Sequence, residues 1–526
     1  MSTIFRSIVL ALVLGAVLAP AAQASPTQMS IMMDDDLLVY RNDSTATRAL
    51  TQMKALGVDT IRVTVLWETV AEFSKFTKAD LAKLKGEDNT RAREAARRQN
   101  RRFKPANPST YPIRNWDRYD NLVRAATERG IRVYFNVTGP GPKWAHAKKP
   151  KGSTALQRTF KPRAREFKLF VTAVGKRFDG TYRDENGSRS ALPRVSMWSL
   201  WNEPNQAGWL SPQWENGKAA SPALFRKLHQ LGYAGLVSTG HRVDNDIILL
   251  GETAPLGTDA KTGKSPMRPK QFIRELFSGD LGAGLQANGW AHHPYTKNVS
   301  PLVRDPHPDS LTMANIAELG TTLDEMAART GKIVPNMPLY MTEFGFETNP
   351  PDPFSGVAPE LQAKYNTLGE HLSYLNPRIA SQAQFLLVDV PPVRGKPKTS
   401  KSYWFTYQSG LFNQRGQPKP AAYAYQLPFV VAPVATNPET GTLISHLWGQ
   451  LRFIPTNQAS SVLLQWKPKD NSANWMTIGD PVPSDPLRGY FEADRTAPAA
   501  VPGDWRAVWL NSAGEVGVFT GGSDGS

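Results

Sequence analysis

The sequence alternates short apolar runs with stretches of helical spacing, and this alternation recurs eight times. Several of the apolar runs are rich in Val, Ile and Leu without polar alternation, which is typical of strands buried on both faces. The eight runs lie at 29–33, 60–67, 131–138, 195–201, 247–250, 290–293, 339–344 and 384–390. The pattern predicts an α/β fold, a (β/α)8 TIM barrel, and about 400 residues suit such a barrel with insertions.

The stretches between the runs carry helix signals of their own. Helices are predicted at 116–129, 165–178, 222–238 and 311–329. Gly130 is placed to end the first helix, and Ser310 is placed to cap the N-terminus of the last. The largest insertion, at 71–112, separates the second strand from its helix. It carries a basic cluster, which consists of Arg91, Arg93, Arg97, Arg98, Arg101, Arg102 and Lys104.

From about Pro428 the sequence changes to short β-like runs separated by Pro, Gly, Asn and Asp. These runs lie at 461–466, 475–478, 489–493, 506–510 and 516–520. They predict a small all-β sandwich behind the barrel. We therefore expect a barrel domain at 25–428 and an accessory β-sandwich at 429–526. Four tryptophans of this module could bind sugar or brace the barrel, and bracing is favoured: Trp448, Trp466, Trp475 and Trp505.

The N-terminus has the three-part layout of a secretory signal peptide at 1–24. Arg6 precedes an apolar run at 8–18, and the small residues Ala22 and Ala24 flank a cleavage point after Ala24. The run is shorter than the ~20 residues that a membrane helix needs, and no later segment reaches that length. The expectation is a secreted protein without stable membrane insertion. The chain has no cysteine, which excludes cysteine nucleophiles, iron–sulfur clusters and zinc ribbons.

Two strands end in a carboxylate, at the edge of the barrel where active sites lie. The fourth strand runs into WNEPN (201–205), which contains Glu203, and the seventh runs into TEFG (342–345), which contains Glu343. The two strands lie nearly opposite each other across the barrel mouth. Carboxylates about 5–5.5 Å apart suit nucleophilic displacement at a sugar C1, whereas about 6.5–9.5 Å would leave room for an attacking water. Trp201 is expected to lower the polarity around Glu203, and Glu347 is a competing carboxylate on the following loop.

The two strings resemble the acid/base and nucleophile motifs of glycoside hydrolase clan A, most closely families 5 and 39. Those families are retaining (β/α)8 enzymes, and the resemblance covers about residues 60–425. It implies that Glu203 is the general acid/base and Glu343 the nucleophile, with no metal and no organic cofactor. Arg62 resembles the clan's arginine that binds the nucleophile. His293 and Tyr295 resemble its His/Tyr pair, with the tyrosine hydroxyl near the nucleophile.

Other residues are candidates for contact with a sugar. Asn202 can donate to a sugar hydroxyl, and Trp144, in the loop after the third strand, could stack on a sugar or pin its loop. The clan often places a tryptophan at the end of the eighth strand, where this sequence has Asp389, so Trp404 is the candidate for that role. Four further carboxylates could contact substrate or be surface groups: Asp34, Asp35, Asp36 and Glu252.

These inferences predict a secreted retaining glycoside hydrolase that cleaves O-glycosidic bonds of a poly- or oligosaccharide by double displacement. The formal net charge of +16 leaves open an anionic polysaccharide or a cell-surface glycan as substrate. Nucleic acid is not expected, because Phe103 alone supplies an aromatic group to the basic cluster. The alternative is a non-catalytic carbohydrate- or polyanion-binding envelope protein on a degenerate glycosidase barrel.

Overall fold

A computed structural model describes residues 25–84, 89–188, 190–282, 284–458, 460–469 and 473–510. The signal peptide predicted at 1–24 and the β run predicted at 516–520 lie outside the described residues, and both stay predictions. Within the described part of the chain, no helix is long and apolar enough to span a bilayer.

Eight parallel strands pair in sequence order and close into a barrel, so the predicted (β/α)8 fold is confirmed. The barrel strands are β1 (Met29–Met33), β2 (Thr60–Leu66), β3 (Arg132–Thr138), β4 (Met197–Leu200), β7 (Ile247–Thr253), β8 (Gly289–His292), β9 (Leu339–Met341) and β10 (Ile379–Phe385). A small hairpin, β5 (Trp214–Glu215) and β6 (Lys218–Ala219), lies between β4 and β7.

The predicted position of the eighth strand, 384–390, is wrong, because the strand lies at Ile379–Phe385. β10 ends at Phe385, which pairs with Met33 of β1. Beyond it, the N–H groups of Leu387 and Val388 donate to Asp34 Oδ2 (3.2 and 3.1 Å) rather than to a strand. The polar composition of β10 hides it from a hydrophobicity pattern, since it carries the buried Gln382 and Gln384, whose Oε1 atoms accept hydrogen bonds from neighbouring side chains.

Helices surround the barrel, and four of them correspond to the predicted ones. The helices are α1 (Asp35–Leu38), α2 (Asp43–Ala55), α3 (Trp67–Val70), α4 (Lys78–Lys83), α5 (Thr90–Arg102), α6 (Ile113–Glu128), α7 (Ala164–Arg177), α8 (Ser221–Val237), α9 (Pro269–Leu276), α10 (Ala317–Thr330), α11 (Pro359–Tyr374) and α12 (Pro420–Gln426). Ser310 is not a helix cap, because Thr312 and Asn315 instead form a capping box on a single 3-10 turn ahead of α10.

Two apolar layers support the site from below. The larger fills the space between strands and helices and contains fully buried aromatic rings such as Trp67, Trp116 and Trp198. A separate cluster takes side chains from many different barrel strands, among them Tyr134 and Tyr340, and fills the barrel interior. A closed barrel of this size is packed with side chains rather than open, so a ligand can bind only at its mouth.

The C-terminal region is a sandwich of two sheets, as predicted. Its strands are β11 (Phe429–Thr436), β12 (Leu443–Gln450), β13 (Ser461–Pro468), β14 (Met476–Thr477), β15 (Val482–Pro483), β16 (Tyr490–Thr496) and β17 (Gly503–Leu510). One sheet contains β11, β12 and β16, and the other contains β13 to β15 with β17. Phe429 and Leu447 from the first sheet pack with Trp466 and Trp505 from the second in one core.

The sandwich is fixed to the barrel by a buried ion pair and an aromatic cluster. The Arg452 guanidinium donates to both oxygens of Glu370 on α11 (3.1 and 2.5 Å) and lies 4.0 Å above the Tyr425 ring. Trp448 stacks on Tyr374 at the end of α11, with ring centroids 5.3 Å apart. Of the four candidate tryptophans, Trp448 therefore packs against the barrel, while Trp466 and Trp505 lie in the core of the sandwich itself. Trp475 is only half-buried, beneath Lys467 and Arg506.

Candidate active site

The carboxyl ends of the barrel strands open into a cleft of about 770 Å³. Its walls come from residues in or after β1, β2, β4, β8, β9 and β10. Glu203 and Glu343 both line this cleft, together with Asn202 and Tyr295. The fold therefore brings four of the predicted site residues to one concave surface, at the end of the barrel where reactions take place.

The loop after β4 holds Glu203 in a strained backbone conformation. Trp201 has a φ of 78° and Glu203 a φ of 36°, values that residues other than glycine rarely adopt. Two hydrogen bonds fix the turn: Asn202 N donates to Thr138 Oγ1 (2.9 Å), and Glu203 N donates to the Glu252 carbonyl (2.9 Å). Such conformations persist only where the surrounding structure enforces them, and they cluster at functional sites.

The Trp201 indole belongs to the core and does not line the cleft. Its ring packs against Phe167 of α7, with centroids 5.1 Å apart, and its Nε1 donates to the Trp209 carbonyl (3.2 Å). The expectation that this ring lowers the polarity around Glu203 is therefore wrong, because the positive φ of Trp201 turns its side chain into the helical layer.

Glu343 follows β9 directly and reaches the cleft through a tight turn. Thr342 N donates to the His292 carbonyl (3.1 Å), which keeps the turn aligned with β8. A side chain at Gly345 could not be accommodated, since a Cβ there would lie 2.6 Å from the Phe385 carbonyl oxygen. The glycine thus permits the loop to pass against the end of β10 and leaves Glu343 facing the cleft, 9% exposed.

The two glutamates lie close together. A carboxylate oxygen of Glu203, a ring nitrogen of His293 and a carboxylate oxygen of Glu343 all lie within 4.8 Å of one another. The Glu203 side chain is 20% exposed and that of Glu343 is 11% exposed. Two carboxylates therefore face the same small volume at the floor of the cleft.

Arg62 and Tyr295 supply a donor to each oxygen of Glu343. Arg62 is fully buried in β2, and its Nη1 donates to Glu343 Oε1 (2.9 Å). The Tyr295 hydroxyl donates to Glu343 Oε2 (3.1 Å). Arg62 Nη2 donates to Asn202 Oδ1 (2.7 Å), which leaves the amide nitrogen of Asn202 as the end available to donate to a ligand. Arg62 and Tyr295 therefore contact Glu343, as the resemblance implies, and the contact of Asn202 with a sugar stays a prediction.

His293 lies between the two glutamates. Its Nδ1 donates to Glu203 Oε1 (3.0 Å) and lies 3.6 Å from Glu343 Oε2. Its Nε2 donates to Glu252 Oε2 (2.7 Å). Burial opposes protonation of this ring, but the surrounding carboxylates of Glu343, Glu203 and Glu252 outweigh it and raise the pKa of His293 to about 10. At neutral pH the ring is therefore an imidazolium that donates from both nitrogens.

Glu252, at the end of β7, is a third carboxylate in the centre, and it cannot reach substrate. Its side chain is 1% exposed, and five side chains donate to it. The donors are Arg62 (3.1 Å), His293 (2.7 Å), Ser199 (2.6 Å), Thr342 (2.9 Å) and Tyr134. Burial opposes ionisation, but the Arg62 and His293 cations outweigh it and hold the pKa of Glu252 well below its usual range.

For Glu343, burial changes the pKa of the carboxyl more than the neighbouring cations do. It raises the pKa of the Glu343 carboxyl, and the His293 and Arg62 cations offset only part of that rise. The two cations still provide the attraction that an ionised nucleophile needs. The pKa of Glu343 therefore lies above that of an ordinary glutamate.

Phe385 and Tyr407 form an aromatic wall of the cleft, which the sequence analysis missed. Phe385 ends β10, the position at which a tryptophan was expected and found missing. The Tyr407 ring packs edge-on against it, with centroids 5.1 Å apart, and Tyr407 also lines the cleft. The predicted run at 384–390 has Phe385 near its start, whereas β10 ends at this residue, so the sequence did not mark Phe385 as a strand end.

The structure does not bring Trp144 or Trp404 to the cleft. The Trp144 ring packs between Trp67 and Phe103, with centroids 6.1 and 5.8 Å away, so it pins its loop. Trp404 donates from Nε1 to the Lys398 carbonyl (3.0 Å) on an outer loop. Neither ring lines the cleft that contains Glu203, so the structure does not bring them to the two glutamates, and their contact with substrate stays a prediction.

The aspartates after β1 divide into structural and cleft-lining groups. Asp34 is buried and accepts backbone N–H groups from Leu37 and from the loop after β10, so it ties two loops together. Asp35 and Asp36 line the cleft, as does Glu347. Burial raises the pKa of Asp35 to about 6 and that of Glu347 to about 7.

The basic cluster lies on and just after α5, away from the cleft. Of the residues that line the cleft, none belongs to the described part of the insertion at 71–112. Five arginines of α5 are exposed: Arg91, Arg97, Arg98, Arg101 and Arg102. The described part of the insertion therefore adds positive charge to the surface and does not line the cleft.

The spacing of Glu203, His293 and Glu343 would also suit three ligands of a metal ion. Both ring nitrogens of His293 are engaged as donors to carboxylates, however. A protonated imidazole has no lone pair to offer to a metal. The hydrogen-bond pattern favours a proton-transfer centre over a metal centre.

Fold and site together define a barrel with a pair of closely spaced carboxylates at its mouth. No protein-family model matches the chain, and no curated protein matches it. Solved structures do resemble it, and they include glycoside hydrolases of family 39 and of family 5.

One is a family 39 glycoside hydrolase from Bacteroides cellulosilyticus WH2, at 13% identity and a TM-score of 0.48, covering 92% of this chain and 80% of that one. A second is a monomeric beta-xylosidase from Caulobacter crescentus CB15, at 14% identity and a TM-score of 0.48, and the match covers 91% of this chain and 98% of that one. A third is GH5_18 from Streptomyces cattleya in complex with GlcNAc, at 15% identity and a TM-score of 0.42, and the match covers 77% of this chain and 79% of that one. The barrel assignment rests on the strand pairings of the chain itself.

Proposed function

We propose that this protein is a secreted retaining glycoside hydrolase. The observation that carries the proposal is the separation of its two cleft carboxylates, since one oxygen of Glu203 lies within 4.8 Å of one oxygen of Glu343. Retaining enzymes place their carboxyl groups about 5–5.5 Å apart, and inverting enzymes need about 6.5–9.5 Å to fit a water. The spacing therefore supports attack by Glu343 itself rather than by water.

In the first step, Glu203 in its acid form transfers its proton to the glycosidic oxygen. As the C1–O bond breaks, a carboxylate oxygen of Glu343 bonds to C1 and forms a glycosyl ester. In the second step, Glu203 takes a proton from water, the water oxygen attacks C1, and Glu343 leaves as a carboxylate. Arg62 and Tyr295 stabilise the charge on Glu343 before the first step and after the second.

The cleft favours a neutral carbohydrate over an anionic one. Its lining contains five acidic residues, which are Asp35, Asp36, Glu203, Glu343 and Glu347, against two basic residues, Lys297 and Lys401. An acidic polysaccharide would meet repulsion at this surface. The aromatic wall of Phe385 and Tyr407 suits the apolar face of a sugar ring. We expect any anionic glycan to bind at α5 rather than in the cleft.

The test begins with Glu343→Gln and Glu203→Ala, assayed on aryl β-glycosides and a panel of neutral polysaccharides. Glu343→Gln should abolish turnover without loss of fold by circular dichroism, since an amide is a poor nucleophile. Glu203→Ala should slow turnover by about 10²–10⁴-fold. Azide should restore its activity on substrates with good leaving groups, because they need no acid catalyst and azide replaces the activated water.

The stereochemistry of the product separates retention from inversion. Proton NMR of the first sugar released should show the anomeric configuration of the substrate. An inverted first product would refute the retaining mechanism. Full activity in either variant would refute the assignment of the site, and sugar binding without turnover would favour the non-catalytic alternative.

A further inference from the structure

Glu252 is the most heavily hydrogen-bonded carboxylate of the centre, yet the proposed reaction gives it no step. It is separated from the cleft by the very groups it binds, with a side chain 1% exposed. It bonds both cations of the centre, Arg62 and His293. A buried carboxylate is costly unless its charge is compensated, so its presence here calls for a physical reason.

We propose that Glu252 is a positioning residue, which holds the His293 imidazolium between the two catalytic carboxylates so that one fixed cation faces the negative charge wherever it resides. This inference rests on the proposed double displacement. It concerns how the charge of that reaction is managed rather than which bond is broken.

The negative charge moves from one glutamate to the other during the reaction, and His293 lies beside both. Before the first step the negative charge is on Glu343, and once the glycosyl ester forms it is on Glu203. The His293 Nδ1 lies 3.0 Å from Glu203 and 3.6 Å from Glu343, so a single N–H can face either without moving far. A donor set in place beforehand costs no reorganisation when the charge develops.

Glu252 keeps that donor charged and oriented. Its Oε2 accepts His293 Nε2, which fixes the plane of the ring, and this negative charge is among those that raise the pKa of His293 to about 10. The charged groups that face His293 are Glu203, Glu343 and Glu252, from three different strand ends. The neighbouring ring of His292 bonds Thr253 and the Leu311 carbonyl instead, and burial lowers its pKa to about 3, so it adds no charge.

Glu252 is itself held rigid, which a positioning role requires. Ser199 and Tyr134 donate to its Oε1, and Thr342 donates to its Oε2. Its backbone adds a second constraint: φ is 50°, and its carbonyl accepts the N–H of Glu203. The same residue therefore supports the acid/base glutamate through the main chain and the histidine through the side chain.

The experiment compares the full-length protein with Glu252→Gln and Glu252→Asp. The first readout is the titration of the His293 ring by ¹⁵N NMR, assigned with a His293→Gln variant. An opposite charge within hydrogen-bond distance shifts a pKa by about 1–3 units, so His293 in Glu252→Gln should titrate about 1–3 pH units lower than in the wild type. Glu252→Asp should restore part of the difference, because it keeps the charge.

The second readout is kcat/KM as a function of pH. Loss of a group that orients a metal ligand costs about 10–100-fold in metal sites, and we expect a loss of similar size in Glu252→Gln, chiefly in kcat. Asp120→Asn is the matched control, because Asp120 forms a comparably buried ion pair with Arg177 between α6 and α7, outside the cleft. It should lower stability and leave the His293 titration and the pH profile unchanged.

A milder variant covers the case in which Glu252→Gln does not fold. Glu252→Asp keeps the charge but draws it back from His293 by one methylene group, so the His293 titration should move in the same direction by a smaller amount. An unshifted His293 titration in the folded variants would overturn the proposal, and so would a shifted titration with unchanged kcat/KM. If the wild type hydrolyses no glycoside, the proposed function fails, while the titration still tests the Glu252–His293 pair.

Discussion

Raising the pH should remove a defined part of the stability of this barrel, because His293 is protonated in the folded state. Its pKa is raised from an ordinary 6.5 to about 10 by the three carboxylates around it. A base with a raised folded-state pKa contributes stability that is fully present below pH 6.5 and is lost as the pH rises to 10. The pKa difference of about 3.5 units corresponds to about 5 kcal/mol at 1.36 kcal/mol per unit.

This loss of stability can be measured as a fall in the midpoint temperature of thermal unfolding. Unfolding entropy is about 2.1 cal/mol/K per residue, so a chain of 526 residues changes its midpoint by about 1 °C per kcal/mol. Lysines and tyrosines also titrate in this range, and the comparison must therefore be made against His293→Gln. The midpoint of the wild type should fall relative to that variant by up to about 5 °C between pH 6.5 and 10.

The assay is differential scanning calorimetry of both proteins at half-unit pH steps, with circular dichroism at each pH to confirm that they start folded. The two midpoints should converge as the pH rises. A constant gap between them across this range would refute the reasoning, since it would show that His293 binds no extra proton in the folded state.

Two further predictions concern regions outside the cleft. Arg452→Met leaves Glu370 buried without its partner and should destabilise the junction between barrel and sandwich by about 3–5 kcal/mol, measured by chemical denaturation; an unchanged transition would show that the ion pair contributes nothing. Replacing the exposed arginines of α5 by glutamine should shorten salt-dependent retention on heparin without changing kcat/KM on a neutral glycoside, and unchanged retention would place the polyanion-binding surface elsewhere.

The sequence predicted the barrel because seven of its eight strands read as apolar runs. β10 is the exception: it is buried as well, but it carries Ser381, Gln382 and Gln384, which hydrogen-bond to neighbouring groups inside the protein. Glu203 and Glu343 could be found because each directly follows an apolar strand. That arrangement depends on local sequence alone.

The rest of the site depends on contacts that a single sequence does not reveal. Glu252 also follows an apolar run, and the same strand-end rule would have favoured it as strongly as Glu203. What distinguishes the two is exposure: Glu252 is enclosed by five donors from other strands, whereas Glu203 opens to the cleft. For Trp144 and Trp404 the direction of a loop side chain decided the outcome, and residue type could not predict it.

The positive φ angles of Trp201, Glu203 and Glu252 have a consequence for engineering this barrel. Each such residue costs about 1–3 kcal/mol, which the remaining contacts must offset. Glycine at Trp201 or Glu252 would also remove a core ring or the partner of two buried cations, which costs more than the strain. Glu203 opens to the cleft, so a search that rewards thermostability alone would tend to replace it by glycine. A stabilised version must therefore exempt Glu203, and its melting temperature would not reveal that the chemistry had been lost.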